Sequence, residues 1–142
     1  MLLVAMFSCS AVLYAQTYAI NRVWYNFEKS SKIQIYKGSD EAYHGKIVWL
    51  RDPHDQNGKP RTDVHNPNEN QRTAKLMNLV ILKNFKQSSG DPNTFEGGTI
   101  YDPKTGKTYC GKITVAAKQL KLRGHICGWS WLGRSTTFDL AE

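Results

Sequence analysis

The chain lacks the short motifs that announce a reaction. It has no Cys-x-x-Cys, so a thioredoxin-type dithiol is excluded. It has no Gly-x-Ser-x-Gly and no phosphate-cradling P-loop. Its four histidines, His44, His54, His65 and His125, never pair at i, i+4 or as His-x-His, so no preformed metal pair is visible. A calcium loop centred on Gly58 fails, because Pro53 stands where the first aspartate should be. The formal net charge is +7, yet the lysines are scattered and no basic run carries interleaved aromatics. Nucleic acid is therefore not an expected partner. No internal repeat is present, and neither a metal nor a cofactor is expected.

What remains is a folding composition. The chain has 142 residues, 40% of them hydrophobic and 22% charged, which suits one domain with a real core. Residues 1–15, MLLVAMFSCSAVLYA, contain no charge and end at Ala15 before Gln16. The run resembles the apolar region and cleavage site of a secretory signal peptide, with Leu13 and Ala15 before the cut. The basic start such a peptide normally carries is missing. The run is shorter than the about 20 apolar residues of a membrane span. Cys9 lies in a poor lipidation context, after Met6-Phe7-Ser8. The expectation is a signal peptide over 1–15, a single domain over 16–142, and a periplasmic or secreted location. Two cysteines, Cys110 and Cys127, would remain in the mature chain, and an even pair in an oxidising compartment suggests a bridge.

The mature chain reads as strands nearly throughout. "AINRVWYNF" (19–27), "SKIQIYK" (31–37) and "YHGKIVWLR" (43–51) are rich in β-branched and aromatic residues. Alternation puts Ile33 with Ile35, and Tyr43, Ile47 and Trp49 on one face. Residues 52–70 hold three of the five prolines and almost no large apolar side chain, the composition of a long polar loop. A short helix over Asn70 to Lys75, capped by Asn68, follows. Strands resume at 76–85, 94–102, 107–115, 119–127 and 133–140, and Gly97-Gly98 marks a bulge or bend. About eight antiparallel strands with short turns and one long loop predict an all-β, up-and-down barrel.

The hairpin in "IYDPKTGKTYCGKI" (100–113) is the best-defined local feature. Asp102 and Lys107 close a loop of Pro103-Lys104-Thr105-Gly106, with proline fixing φ first and glycine left-handed last. This sets Ile100 opposite Tyr109. The next hairpin has two acceptable registers. Pairing Val115 with Leu122 sets Cys110 directly across from Cys127. Pairing Val115 with Leu120 sets Cys110 across from His125 and leaves the cysteines diagonal. Directly opposed Cβ atoms lie about 4.5–5.5 Å apart and suit a disulfide; diagonal ones at about 7–8 Å do not bond without movement.

Inward aromatics of an eight-stranded barrel either fill it or line a cavity for one small ligand. Alternation nominates Trp24, Ile35, Trp49, Tyr109, Ile113 and Leu122 as the lining.

The pieces "YHGKIVWLRDP", "GKPRTDVHNPN", "LVILKNF", "FEGGTIYDPKTGKTY" and "LKLRGHI…GRSTTF" occur in one order and spacing. In this they resemble a bacterial family known as domain of unknown function 2147, over about 23–138. The resemblance implies an exported protein with a lipocalin-like β-barrel and no settled activity, and it carries over no catalytic residue. Phe95 and Phe138 stand where the family usually has Trp, Arg22 replaces a usual Gly, and Asp139-Leu140 replaces a Thr-Arg-like end.

Three readings follow. The first is an exported barrel holding a small hydrophobic or amphipathic molecule. The second is an envelope protein with a filled barrel, whose basic outer face (Lys112, Lys121, Arg123) meets an anionic surface. The third is an enzyme using Asp55, Asp63 or His65 of the 52–70 loop. Oligomeric state is not encoded in any of these features.

Overall fold

The computed structural model describes residues 16–141. The expected signal peptide and Cys9 lie outside the described residues. Eight antiparallel strands close into a barrel: β1 (Val23–Tyr25), β2 (Ser31–Lys37), β3 (Tyr43–Leu50), β4 (Val80–Gln87), β5 (Thr94–Asp102), β6 (Lys107–Val115), β7 (Gln119–Ile126) and β8 (Trp129–Leu140). Each strand pairs with its sequence neighbour, and β8 returns to β1 through Trp24↔Leu140 and Tyr25↔Asp139. Closure removes the free edges that would otherwise invite further pairing.

Up-and-down order assigns every connection to one end. Residues 26–30, 51–79, 103–106 and 127–128 gather at one end, here termed the mouth. Residues 38–42, 88–93 and 116–118 gather at the other, the closed end, together with the segment leading into β1. That segment is tied to the closed end by Asn93. Its Oδ1 accepts from the Tyr18 amide at 2.8 Å and its Nδ2 donates to the Gln16 carbonyl at 2.7 Å. Ile20 is thereby buried, and its carbonyl accepts from the Trp24 indole.

The closed half is filled. Trp24, Phe85, Phe95, Ile35, Ile113 and Leu120 are all buried there. Phe85 owes its place to two local irregularities. Asn84 adopts φ 62°, so that Leu82 and Phe85, three residues apart, both point inward. Opposite, β5 and β6 present glycines: an added Cβ would stand 2.4 Å from the Phe85 ring at Gly98 and 2.7 Å at Gly111. The ring occupies space that any larger residue there would claim. Gly97, at φ 76°, is the bulge residue, and the β5–β6 register shifts between Glu96 and Gly98 as the double glycine suggested.

Two expectations are corrected. The register of β2 and β3 slips by one at Val48, between the pairs Lys32↔Trp49 and Ile33↔Ile47. Because side chains alternate, one extra residue turns everything beyond it over. Trp49 therefore faces out, 37% exposed, edge-on to Tyr25 at 6.0 Å. The helix after the long loop is also cut short. Asn68 does cap it, accepting from the Asn70 amide, but only a single 3-10 turn, Glu69–Gln71, forms. The residues beyond are drawn into pairing with 61–63: Asp63 donates to Ala74, Leu76 donates to Arg61, and Thr62 bridges Lys75.

Candidate functional site

The mouth half is hollow. A cavity of about 760 Å³ lies between the β5–β6 and β7–β8 hairpins, walled by Ile100, Tyr109, Leu122, Leu132, Arg134 and Thr136. A second one of about 410 Å³ runs from the rim residues Phe27, Glu28 and Lys104 to Ile33, Ile47, Leu82 and Phe138. Ile100, Asp102, Leu122 and Thr136 line both. The volumes fall in the roughly 300–1,000 Å³ range of small-molecule sites.

Arg134 is the cation of this site. It stands opposite Gly124 on β7, in the inward row that continues through Thr136 and Phe138. Gly124 has no side chain to contest the space. Among the described residues Arg134 has no carboxylate partner. The wall thus grades from apolar at the floor to a rim that carries the Arg134 cation, the Asp102 carboxylate and hydroxyls.

The rim is strapped from above. Glu28, on the β1–β2 turn, pairs with Lys104, on the β5–β6 turn, at 2.6 Å. The Lys104 ammonium, by hydrogen bond and charge, holds the Glu28 carboxyl below its usual value. Phe27 beside it is 73% exposed. The long loop is fastened to the same side. Asp63 is fully buried; its Oδ1 accepts from the Tyr101 hydroxyl at 2.7 Å and its Oδ2 from the Asn66 amide at 2.7 Å. Burial, reinforced by that carboxylate, pushes the Tyr101 phenol up to about 12. Gly106 completes the seam. With φ 72°, it leaves room for the His65 carbonyl, which an added Cβ would meet at 1.9 Å.

The nominated lining is thus divided. Tyr109 and Leu122 stand in the cavity wall. Trp24, Ile35 and Ile113 are inward but belong to the filled half, and Trp49 is outside. Sequence reasoning missed Ile33, Ile47, Ile100 and Arg134. Strand direction was the available signal: each of these lies on the mouth side of its strand.

Two of the loop residues considered for catalysis, Asp63 and Asp55, have structural tasks. Asp63 locks Tyr101 and Asn66, and Asp55 Oδ1 accepts from the amides of Asn57 and Lys59. Among the described residues no cluster of three metal-ligating side chains forms.

The cysteines are joined, with Cα atoms 5.0 Å apart, but not through the register that favoured them. Cys110 lies across from His125, and Val115 across from Leu120. The bridge forms because Cys127 is not on the strand. It occupies the β7–β8 turn with Gly128, whose φ is 87°, and is freed from strand geometry to approach β6. The hairpin of 102–107 is as expected, with Ile100 across from Tyr109.

A closed eight-stranded antiparallel barrel, filled at one end and hollow at the other, defines a lipocalin-like protein. A solved structure agrees: HP1028 of Helicobacter pylori, described as belonging to the lipocalin family, aligns with TM-score 0.74 over 89% of this chain and 85% of its own at 19% identity. At that identity the likeness is one of fold alone. No curated protein matches. The family described as uncharacterized protein conserved in bacteria (DUF2147) matches residues 23–139, and the chain belongs to it.

Proposed function

We propose that this is an exported protein that holds one small amphipathic molecule in the mouth half of its barrel. The observation that carries the reading is the contiguous apolar space above a filled floor, with Arg134 and Thr136 at its upper wall. The tail of the guest packs against Ile100, Leu122 and Leu82, and its polar end meets Arg134. Export is supported by the composition of residues 1–15 and by a disulfide, which persists in oxidising compartments.

Native mass spectrometry of the protein recovered from its own envelope, with Leu122→Trp alongside, tests this. The expected result is a bound species in the wild type that the cavity-filling variant lacks. Bare protein from both, with no uptake of added long-chain fatty acid, would overturn it.

The second reading is contact between the basic outer face and an anionic surface of the envelope. Lys112 and Arg123 are ladder neighbours on β6 and β7, with Lys121 two residues further, so the three charges form one patch. This reading does not require an occupied cavity.

A further inference from the structure

The net charge of the protein is concentrated on one wall. Residues 107–138, which span β6, β7 and most of β8, contain four lysines and two arginines and no aspartate or glutamate. The other 110 residues carry 13 cations and 12 carboxylates. Counted to the end of β8, which includes Asp139, and without Lys118 of the β6–β7 turn, these three adjacent strands hold five cations and one carboxylate, a net +4 of the protein's +7.

The same wall ends in an apolar tip at the mouth. Ile126 pairs with Trp129 across the Cys127-Gly128 turn, and the register then jumps, leaving Ser130, Trp131 and Leu132 out of the ladder. Arg123 holds this bulge by donating to the Ser130 carbonyl at 3.0 Å. Trp129 and Trp131 stack, centroids 6.0 Å apart and planes 10° from parallel. Ile126, Trp129, Trp131 and Leu132 are 48%, 56%, 75% and 42% exposed. Four large apolar side chains in seven residues exceed the scattered exposure of an ordinary surface. The Cys110–Cys127 bridge pins the tip to β6.

We infer that this tip inserts into the interface of an anionic lipid bilayer, with the β6–β8 wall providing the attraction. Indole rings favour the headgroup level, where an apolar body and a polar N–H are both accommodated. Lysines and arginines near the surface add attraction to anionic headgroups. A protein partner would also suit aromatic anchors, but strands with five cations to one carboxylate are matched best by a continuous anionic sheet; Arg134 lines the cavity, so the outer attraction falls to Lys112, Lys121 and Arg123. Docked this way, the mouth faces the lipid. The inference rests on the anionic-surface reading above and not on the cavity being occupied.

Co-sedimentation with vesicles, read together with tryptophan emission, tests it. The probes are phosphatidylglycerol/phosphatidylcholine vesicles and pure phosphatidylcholine vesicles, at low and high salt. The wild type should bind the anionic vesicles with a blue shift and lose binding in high salt. Trp131→Ala should weaken that binding by about tenfold, and Lys112→Gln with Lys121→Gln by roughly tenfold or more. All three sites are on the surface, and an unchanged urea midpoint verifies the fold. Charge-dependent binding without a blue shift, unaffected by Trp131→Ala, would overturn tip insertion and leave the anionic-surface reading standing. No binding to anionic vesicles would overturn both.

Discussion

The two halves of the barrel are made by the same strands and differ in what those strands point inward. Toward the closed end, β1, β4 and β5 contribute Trp24, Phe85 and Phe95, and glycines 98 and 111 make room for the middle ring. Toward the mouth the inward row thins to Ile100, Leu122, Gly124 and Thr136, and space remains. Aromatic rings packed together at one level of the strands make a core; two or four residues further along, where mostly smaller side chains stand beside Tyr109, a cavity remains. The filled half can hold the fold, which leaves the hollow half to be kept open by devices at its rim: the disulfide, the Asp63–Tyr101 lock and the Glu28–Lys104 strap.

The sharpest way to break this contrast is Phe85→Ala. It should cost about 3–5 kcal/mol, read as a fall in the urea midpoint, whereas Ile100→Ala at the cavity wall should cost about 1–2 kcal/mol. Equal losses would mean that the mouth is packed like the floor. Next in size is the disulfide, which closes a loop with a sequence separation of 17. Reduction should add two hydrogens to the mass and lower stability by about 3 kcal/mol in the chain-entropy picture. An unchanged mass would remove the bridge.

A smaller effect than loss of the bridge is expected from Tyr101→Phe, which leaves the buried Asp63 short of one hydrogen bond at a cost of about 1–3 kcal/mol. This residue also sets a pH dependence. Its phenol titrates near 10 when unfolded and near 12 when folded, so the folded state retains the proton longer. The contribution is complete below pH 10 and is lost as pH rises toward 12. Urea midpoints from pH 9 to 12 should fall more steeply for the wild type than for Tyr101→Phe, and parallel curves would contradict the lock.

Much of the architecture was legible because barrel strands alternate and their turns carry their own chemistry. The 103–106 turn, with proline first and glycine last, fixed Ile100 against Tyr109 without any tertiary information. Gly97-Gly98 announced its bulge. What alternation could not supply was the position of the slips. Nothing in "KIVWL" marks Val48 as the extra residue, and so Trp49 was assigned to the wrong face. Nor could strand pairing locate Cys127, which left the ladder for the turn. Asp63 read as a loop carboxylate open to chemistry. Its burial against Tyr101 depends on contacts 38 residues apart, beyond any local pattern.

The Phe85 plug has a further consequence. It makes the barrel a cup and not a tube: with the far end sealed by aromatic rings and the 16–22 segment, there is one doorway. If the barrel holds a guest as proposed, entry and exit share that doorway, so the barrel must empty before it can reload. The residence time of such a guest would then govern the cycle, and whatever stands at the doorway would act on arrival and departure alike.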